Sequence, residues 1–101
     1  MRSLLMFDLP VDTAAHRREY RQFVKFLKES GFIMFQESIY VKLSINEASV
    51  TAVEKTIKNH LPSGGLVSML TVTEKQFTMM DFMLGDFTTD IVSTDQRVVE
   101  L

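Results

Sequence analysis

Hydrophobic and polar positions along this chain change period several times, and each change predicts an element. Leu4, Leu5, Met6 and Phe7 form an unbroken apolar run, the pattern of a strand buried on both faces and therefore central in its sheet. Asp8 closes the run, and Pro10, with no N–H to give a ladder, prevents the strand from continuing. Asp12 or Thr13 can then cap a helix that runs to about Ser30 and stops at Gly31, a residue suited to the left-handed position after a helix. Within it His16, Tyr20, Phe23, Val24 and Leu27 fall within about 100° of one another, a stripe that faces a core.

Residues 32–43 read as strand, but Gln36, Glu37 and Ser38 interrupt the middle. Either one long bent strand or two short ones with a tight connection satisfies that pattern. Ser44 followed by Glu47 has the form of a capping box. A second helix follows to about His60, with Val50, Val53, Ile57 and Leu61 on its apolar face, and Pro62 to Gly65 ends it. Leu66 to Thr73 is dense in apolar and β-branched residues and reads as another central strand. Thr73 then caps a short helical turn that leads into Phe77, Met79, Met80, Phe82, Met83 and Leu84. A polar loop over 88–94 and a terminal strand over 96–101 complete the prediction.

This order predicts one α+β domain spanning residues 1–101: a ferredoxin-like βαββαβ sandwich with an extra C-terminal strand. Both helices of that plan pack on one face of the sheet and leave the other bare. The Phe/Met-rich segment and the last strand can cover the bare face as an intramolecular lid, or as part of a face-to-face homodimer in which the last strand joins the partner's sheet edge. The dimer is the favoured expectation, with residues 77–101 in its interface.

Composition narrows the chemistry. The chain of 101 residues has no cysteine, which removes disulfides, thiolate catalysis and Cys-based zinc sites and fits a reducing, cytoplasmic location. No apolar run approaches the ~20 residues of a membrane helix, and no signal peptide opens the chain. The net charge of −2 and pI near 5.6 are not those of a basic nucleic-acid-binding domain. Charge is unevenly placed, however. From Arg17 to Glu29 there are five cationic residues against two acidic ones, whereas Asp81 to Leu101 holds five acidic residues and only Arg97.

Arg17, Arg21, Lys25 and Lys28 project within about 80° of one another, with Arg18 just beyond them. Such a row is either a solvated helix face or a ridge that tracks phosphates. His16 and His60 lack ligand spacing: the first reads as a satisfied core histidine, the second as a favourable cation at a helix end. No phosphate-cradling glycine loop and no Ser-His-Asp arrangement is present. Asp8 lies at the carboxyl end of a central strand, a usual place for chemistry, and reads either as a turn or cap residue or as a site carboxylate. One carboxylate is too few for a divalent cation. Two Asp8 residues from facing protomers could share one Mg²⁺ or Mn²⁺, which could activate water against a phosphodiester.

Several stretches resemble a known family, the second of the two CRISPR adaptation protein families, small dimeric partners of the spacer integrase. Many of its members are called CRISPR-associated endoribonucleases. The likeness lies in Leu5-Met6-Phe7-Asp8-Leu9-Pro10, in Arg17-Arg18-Glu19-Tyr20-Arg21, and in the run from Gly31 to Tyr40 with its Gln36, Ser38 and Ile39. It continues in Leu70 to Phe77, which is similar to the type II branch, and in Gln96-Arg97-Val98-Val99. The resemblance implies a ferredoxin-like homodimer that bridges two integrase dimers in a heterohexamer-type complex and holds duplex prespacer DNA. It implies Arg17, Arg18, Arg21, Lys25 and Lys28 as contacts to the DNA backbone. It also implies Asp8 as a metal ligand in those members that are metal-dependent nucleases. Ile33 and Met34 stand where many relatives carry a basic residue, so no DNA contact carries over there. The acidic net charge implies that DNA binds firmly only in the complex.

Three functions are therefore expected to compete: a non-catalytic scaffold for spacer integration, a Mg²⁺- or Mn²⁺-dependent endonuclease built on paired Asp8 carboxylates, and a small-ligand regulatory module. The lack of a glycine-rich ligand loop counts against the last.

Overall fold

In the computed structural model, which describes residues 1–85, the strand β1 (Arg2–Asp8) lies between two neighbours, as its apolar run requires. After it come α1 (Ala14–Glu29), β2 (Ile33–Gln36), β3 (Ile39–Leu43), α2 (Glu47–Lys58), β4 (Leu66–Val72) and α3 (Glu74–Thr78). The strand order is β2-β3-β1-β4 and every pairing is antiparallel, which is the ferredoxin-like α+β plan. The expected loop over 88–94 and strand over 96–101, and with them most of the segment assigned to a dimer interface, lie outside the described residues.

Alternation along β1 feeds two cores. Leu5 and Phe7, with Leu9 beyond the strand, point to the helices and meet Phe23 and Leu27 of α1 and Ile57 of α2. Leu4 points the other way, into a second cluster built on Phe35, Val41 and Phe77. Phe77 of α3 is 1% exposed, and Phe35 touches both Phe77 and Phe82 at ring-centroid distances of 5.7 and 5.8 Å. Phe77 and Phe82 thus pack against the sheet of their own chain. Met83 and Leu84 remain 89% and 96% exposed.

The lid is fastened by Arg2, which is only 2% exposed. Its Nε donates to Glu74 Oε2 at 2.8 Å, and its guanidinium lies 4.8 Å from the Phe77 ring centroid. A buried cation is tolerated when a carboxylate and an aromatic face replace the water it loses. α3 itself starts as the sequence predicts. Thr73 Oγ1 accepts from Gln76 N while Gln76 Oε1 accepts from Thr73 N, a reciprocal box.

Three local expectations are corrected. Among the described strands β4 lies at an edge, pairing only with β1, and Leu66 and Leu70 are exposed. Its alternate residues Val67 and Met69 alone pack on the helix-side core, so apolar density marked one buried face and one uncovered one. Ser44 does not cap α2. Its backbone is paired with Met1, which keeps the chain extended, and Asn46 takes the cap by accepting from Ser49 N at 2.8 Å. Leu61 lies beyond the end of α2 and is exposed, leaving Val50, Val53 and Ile57 to its inner face. Between β2 and β3 the structure chooses two short strands. A bulge falls between Met34 and Gln36, and Ser38 takes the left-handed conformation at φ 66° in the turn.

Truncating a well-packed aromatic leaves a cavity, so Phe77→Ala is expected to cost about 3–5 kcal/mol in urea denaturation. Ile45→Ala, at a side chain 87% exposed, should stay within about 0.5 kcal/mol of wild type. Equal effects would show that α3 is not part of the folded core.

Candidate nucleic-acid interface

α1 owes its position to its two ends. At the start Thr13 is the N-cap, its Oγ1 accepting from His16 N at 3.0 Å. At the finish Gly31 adopts φ +95°, and Phe32 N donates back to Leu27 O at 3.0 Å, which folds the chain under the helix and buries Phe32. Phe23 and Leu27 are buried, and Phe7 meets Tyr20 and Phe23 edge-on at 5.9 and 5.5 Å. Of the two possible caps in the sequence, Thr13 is therefore the one used.

With that stripe held inward, Arg17, Arg18, Arg21, Lys25 and Lys28 are all exposed on the outer side of the helix. Steps of four residues separate neighbours by about 6 Å along the axis. Among the described residues no carboxylate lies within 4.0 Å of any of the five cationic groups. The acid inside the row, Glu19, is drawn away: Ser63 Oγ donates to its carboxylate at 2.8 Å. Arg17 Nη1 donates to Val11 O at 3.1 Å, tying the start of the row to the loop after β1. Beside the cations runs an open trough of about 490 Å³, lined by Tyr20, Arg21, Val24, Lys25, Lys28 and Glu29. The row thus offers the uncompensated charge that phosphates require.

Asp8 stands apart from it. It is the last residue of β1, exposed and in register with Leu66. By the alternation of the strand its side chain shares the face of Leu4, the face opposite α1. It does not cap α1, and among the described residues no group of three His, Cys, Asp or Glu side chains is placed to hold a metal ion. Among the described residues, Asp8 is thus a single carboxylate, which by itself does not make up a site for Mg²⁺ or Mn²⁺. The five cations are brought together; the carboxylate is not brought to them.

His16 departs from the sequence reading. It is half-buried, not enclosed in the core, and its Nδ1 meets Asp12 Oδ1 at 2.6 Å. The i, i+4 spacing of Asp12 and His16 was a legible signal for that pair; nothing in the sequence pointed to Glu19 and Ser63. His60 lies just beyond the end of α2, as expected. Its Nδ1 is 2.9 Å from Thr56 O and its ring stacks on Phe26 at 4.2 Å. Burial raises the Tyr40 phenol above its ordinary value, with Tyr20 adding to the effect.

Comparison with known proteins places the chain in a family. The sequence model described as "CRISPR associated protein Cas2" matches residues 1–80. The CRISPR-associated endoribonuclease Cas2 of Streptococcus mutans serotype c is 48% identical over 101 residues, covering 100% of this chain and 93% of that one. The protein of the same name from Treponema denticola is 45% identical and covers 100% of both chains. The crystal structure of Streptococcus pyogenes Cas2 superposes with a TM-score of 0.63 at 17% identity, covering 84% of this chain and 100% of that one. At that identity the likeness concerns the fold.

The hydrogen bond from His16 holds the Asp12 carboxyl below its ordinary 3.8. A depressed carboxyl stabilises the fold above its unfolded value, and that contribution is lost as pH falls through the lower folded one. Carbon-detected NMR titration should place the Asp12 midpoint below 3.8, and His16→Ala should raise it. A midpoint that does not move in the variant would show that the pair does not form in solution.

Proposed function

The chain belongs to the CRISPR-associated protein Cas2 family, and from that premise we propose that it serves spacer acquisition as a homodimeric, non-catalytic scaffold. In this reading it holds duplex prespacer DNA by the backbone and bridges integrase dimers in a heterohexamer-type complex. The observation that supports it is the row Arg17, Arg18, Arg21, Lys25 and Lys28, exposed on one helix and free of carboxylate partners among the described residues. A convex row of point charges binds phosphates without reading sequence. The net charge of −2 makes that binding weak for the subunit alone, so firm binding belongs to the complex. Among the described residues no helix is long and apolar enough to cross a membrane.

A second reading is favoured by the exposure of Asp8 at the carboxyl end of β1 and by the endoribonuclease name of its relatives. Two Asp8 carboxylates, one from each protomer, would hold Mg²⁺ or Mn²⁺ and support cleavage of RNA or duplex DNA.

Duplex affinity measured against salt tests the first reading. Arg21→Ala and Lys25→Ala should each flatten the slope of log affinity against log salt by roughly 0.9. A slope untouched by the double variant contradicts the backbone contact. The second reading predicts divalent-ion-dependent cleavage that Asp8→Ala abolishes while light scattering still reports the dimer. Cleavage that survives the substitution contradicts it.

A further inference from the structure

The end of β1 is flanked on both sides by left-handed backbone. On one side Gly65 has φ +99°, and a Cβ built there would lie 2.6 Å from Asp8 O and 2.8 Å from Leu9 Cδ2. No side chain fits, so that position has a steric reason to be glycine. On the other side Ser38 O accepts from Phe7 N at 3.1 Å, and Ile39 is in register with Met6. Ser38 has φ 66° and is the one non-glycine residue at positive φ among the described residues. A Cβ is a burden there, and glycine or asparagine is the usual occupant. The bond to Phe7 uses the Ser38 carbonyl, which glycine would offer as well. What serine adds is a hydroxyl, half-buried and without a hydrogen-bond partner among the described residues.

We propose that the Ser38 hydroxyl donates to a phosphodiester oxygen of a nucleic-acid strand lying at the Asp8 end of β1. The inference rests on the second reading above, which brings nucleic acid to Asp8, and supplies a donor that the reading lacks. The Asp8 carboxylate only accepts hydrogen bonds and repels phosphate. The cationic row lies on α1, which packs on the face of the sheet opposite to that of Asp8. A hydroxyl can give a hydrogen bond to phosphate and adds no charge beside the carboxylate. Left-handed backbone retained against its cost, next to a candidate site, marks a side chain that is used.

The test measures binding of one labelled sequence, as single-stranded RNA and as duplex DNA, to the full chain by fluorescence anisotropy. An Asp8→Ala background keeps the strand uncut. Adding Ser38→Gly should weaken binding about tenfold, the lower end for a hydrogen bond to a charged group. Because glycine relieves the left-handed backbone, its urea midpoint should be no lower than that of the background. Ser38→Ala keeps the Cβ, loses only the hydroxyl, and should weaken binding as much. The strand whose affinity falls, RNA or duplex, is the one that lies at the turn. Affinity for both strands left unchanged by Ser38→Ala, or a lower midpoint for Ser38→Gly, would overturn the proposal. If affinity falls as expected while the wild type cleaves neither strand, the second reading fails and the hydroxyl contact stands.

Discussion

The alternation of side chains along β1 is the constraint on which the other layers depend. Odd positions Leu5 and Phe7 anchor both long helices, and Leu4 on the other side helps anchor α3. A shift of one residue in register would exchange the two faces and expose both cores. The same strand sets the two charged ends of the molecule. Arg2 at its start is buried and fastens α3 through Glu74 and Phe77. Asp8 at its end is exposed and has no such role. A buried cation must be paired to be tolerated, whereas a carboxylate in water needs nothing, so the two ends of one strand carry opposite physical burdens.

Placement of the cationic row follows from that core. Because Phe7 receives Tyr20 and Phe23 edge-on, α1 cannot rotate about its axis without breaking those contacts. The outward direction of Arg17, Arg21, Lys25 and Lys28 is thus fixed by apolar packing on the other side of the helix. Capping by Thr13 and the left-handed Gly31 fix where the row begins and ends. Withdrawal of Glu19 to Ser63 removes the acid that would have compensated the row. The exposed positive charge of α1 is therefore a product of hydrophobic packing as much as of composition.

Much of this was legible in the sequence, because it rests on local patterns. The apolar run at Leu4 to Phe7, the stripe of α1, Gly31 and the Thr73 box all specify their elements through neighbours within a few residues. The misreadings share a different cause. The apolar and β-branched density of Leu66 to Thr73 predicts a central strand, but which face and edge of a strand are covered depends on partners distant in sequence. Ser44 and Glu47 matched a capping box, yet the pairing of Ser44 with Met1, forty-three positions away, kept the chain extended past it. His16 lay on the core stripe by angle, but at the first turn of the helix the core has already ended and Asp12 is within reach. The burial of Arg2 had no local signal, because Glu74 and Phe77 come from the other end of the described chain.

Two charged features share this chain: the exposed cationic face of α1, proposed to hold phosphates, and the exposed carboxylate of Asp8 at the end of β1. The central claim is that the first, and not the second, does the work in spacer acquisition. Prespacer integration reconstituted with the integrase partner, comparing wild type with Asp8→Ala and checking the dimer by light scattering, tests that claim most directly. Full integration by Asp8→Ala is the predicted result. Integration lost while the dimer stays intact would contradict it, and would make Asp8 a residue that does chemistry or holds an ion the reaction needs.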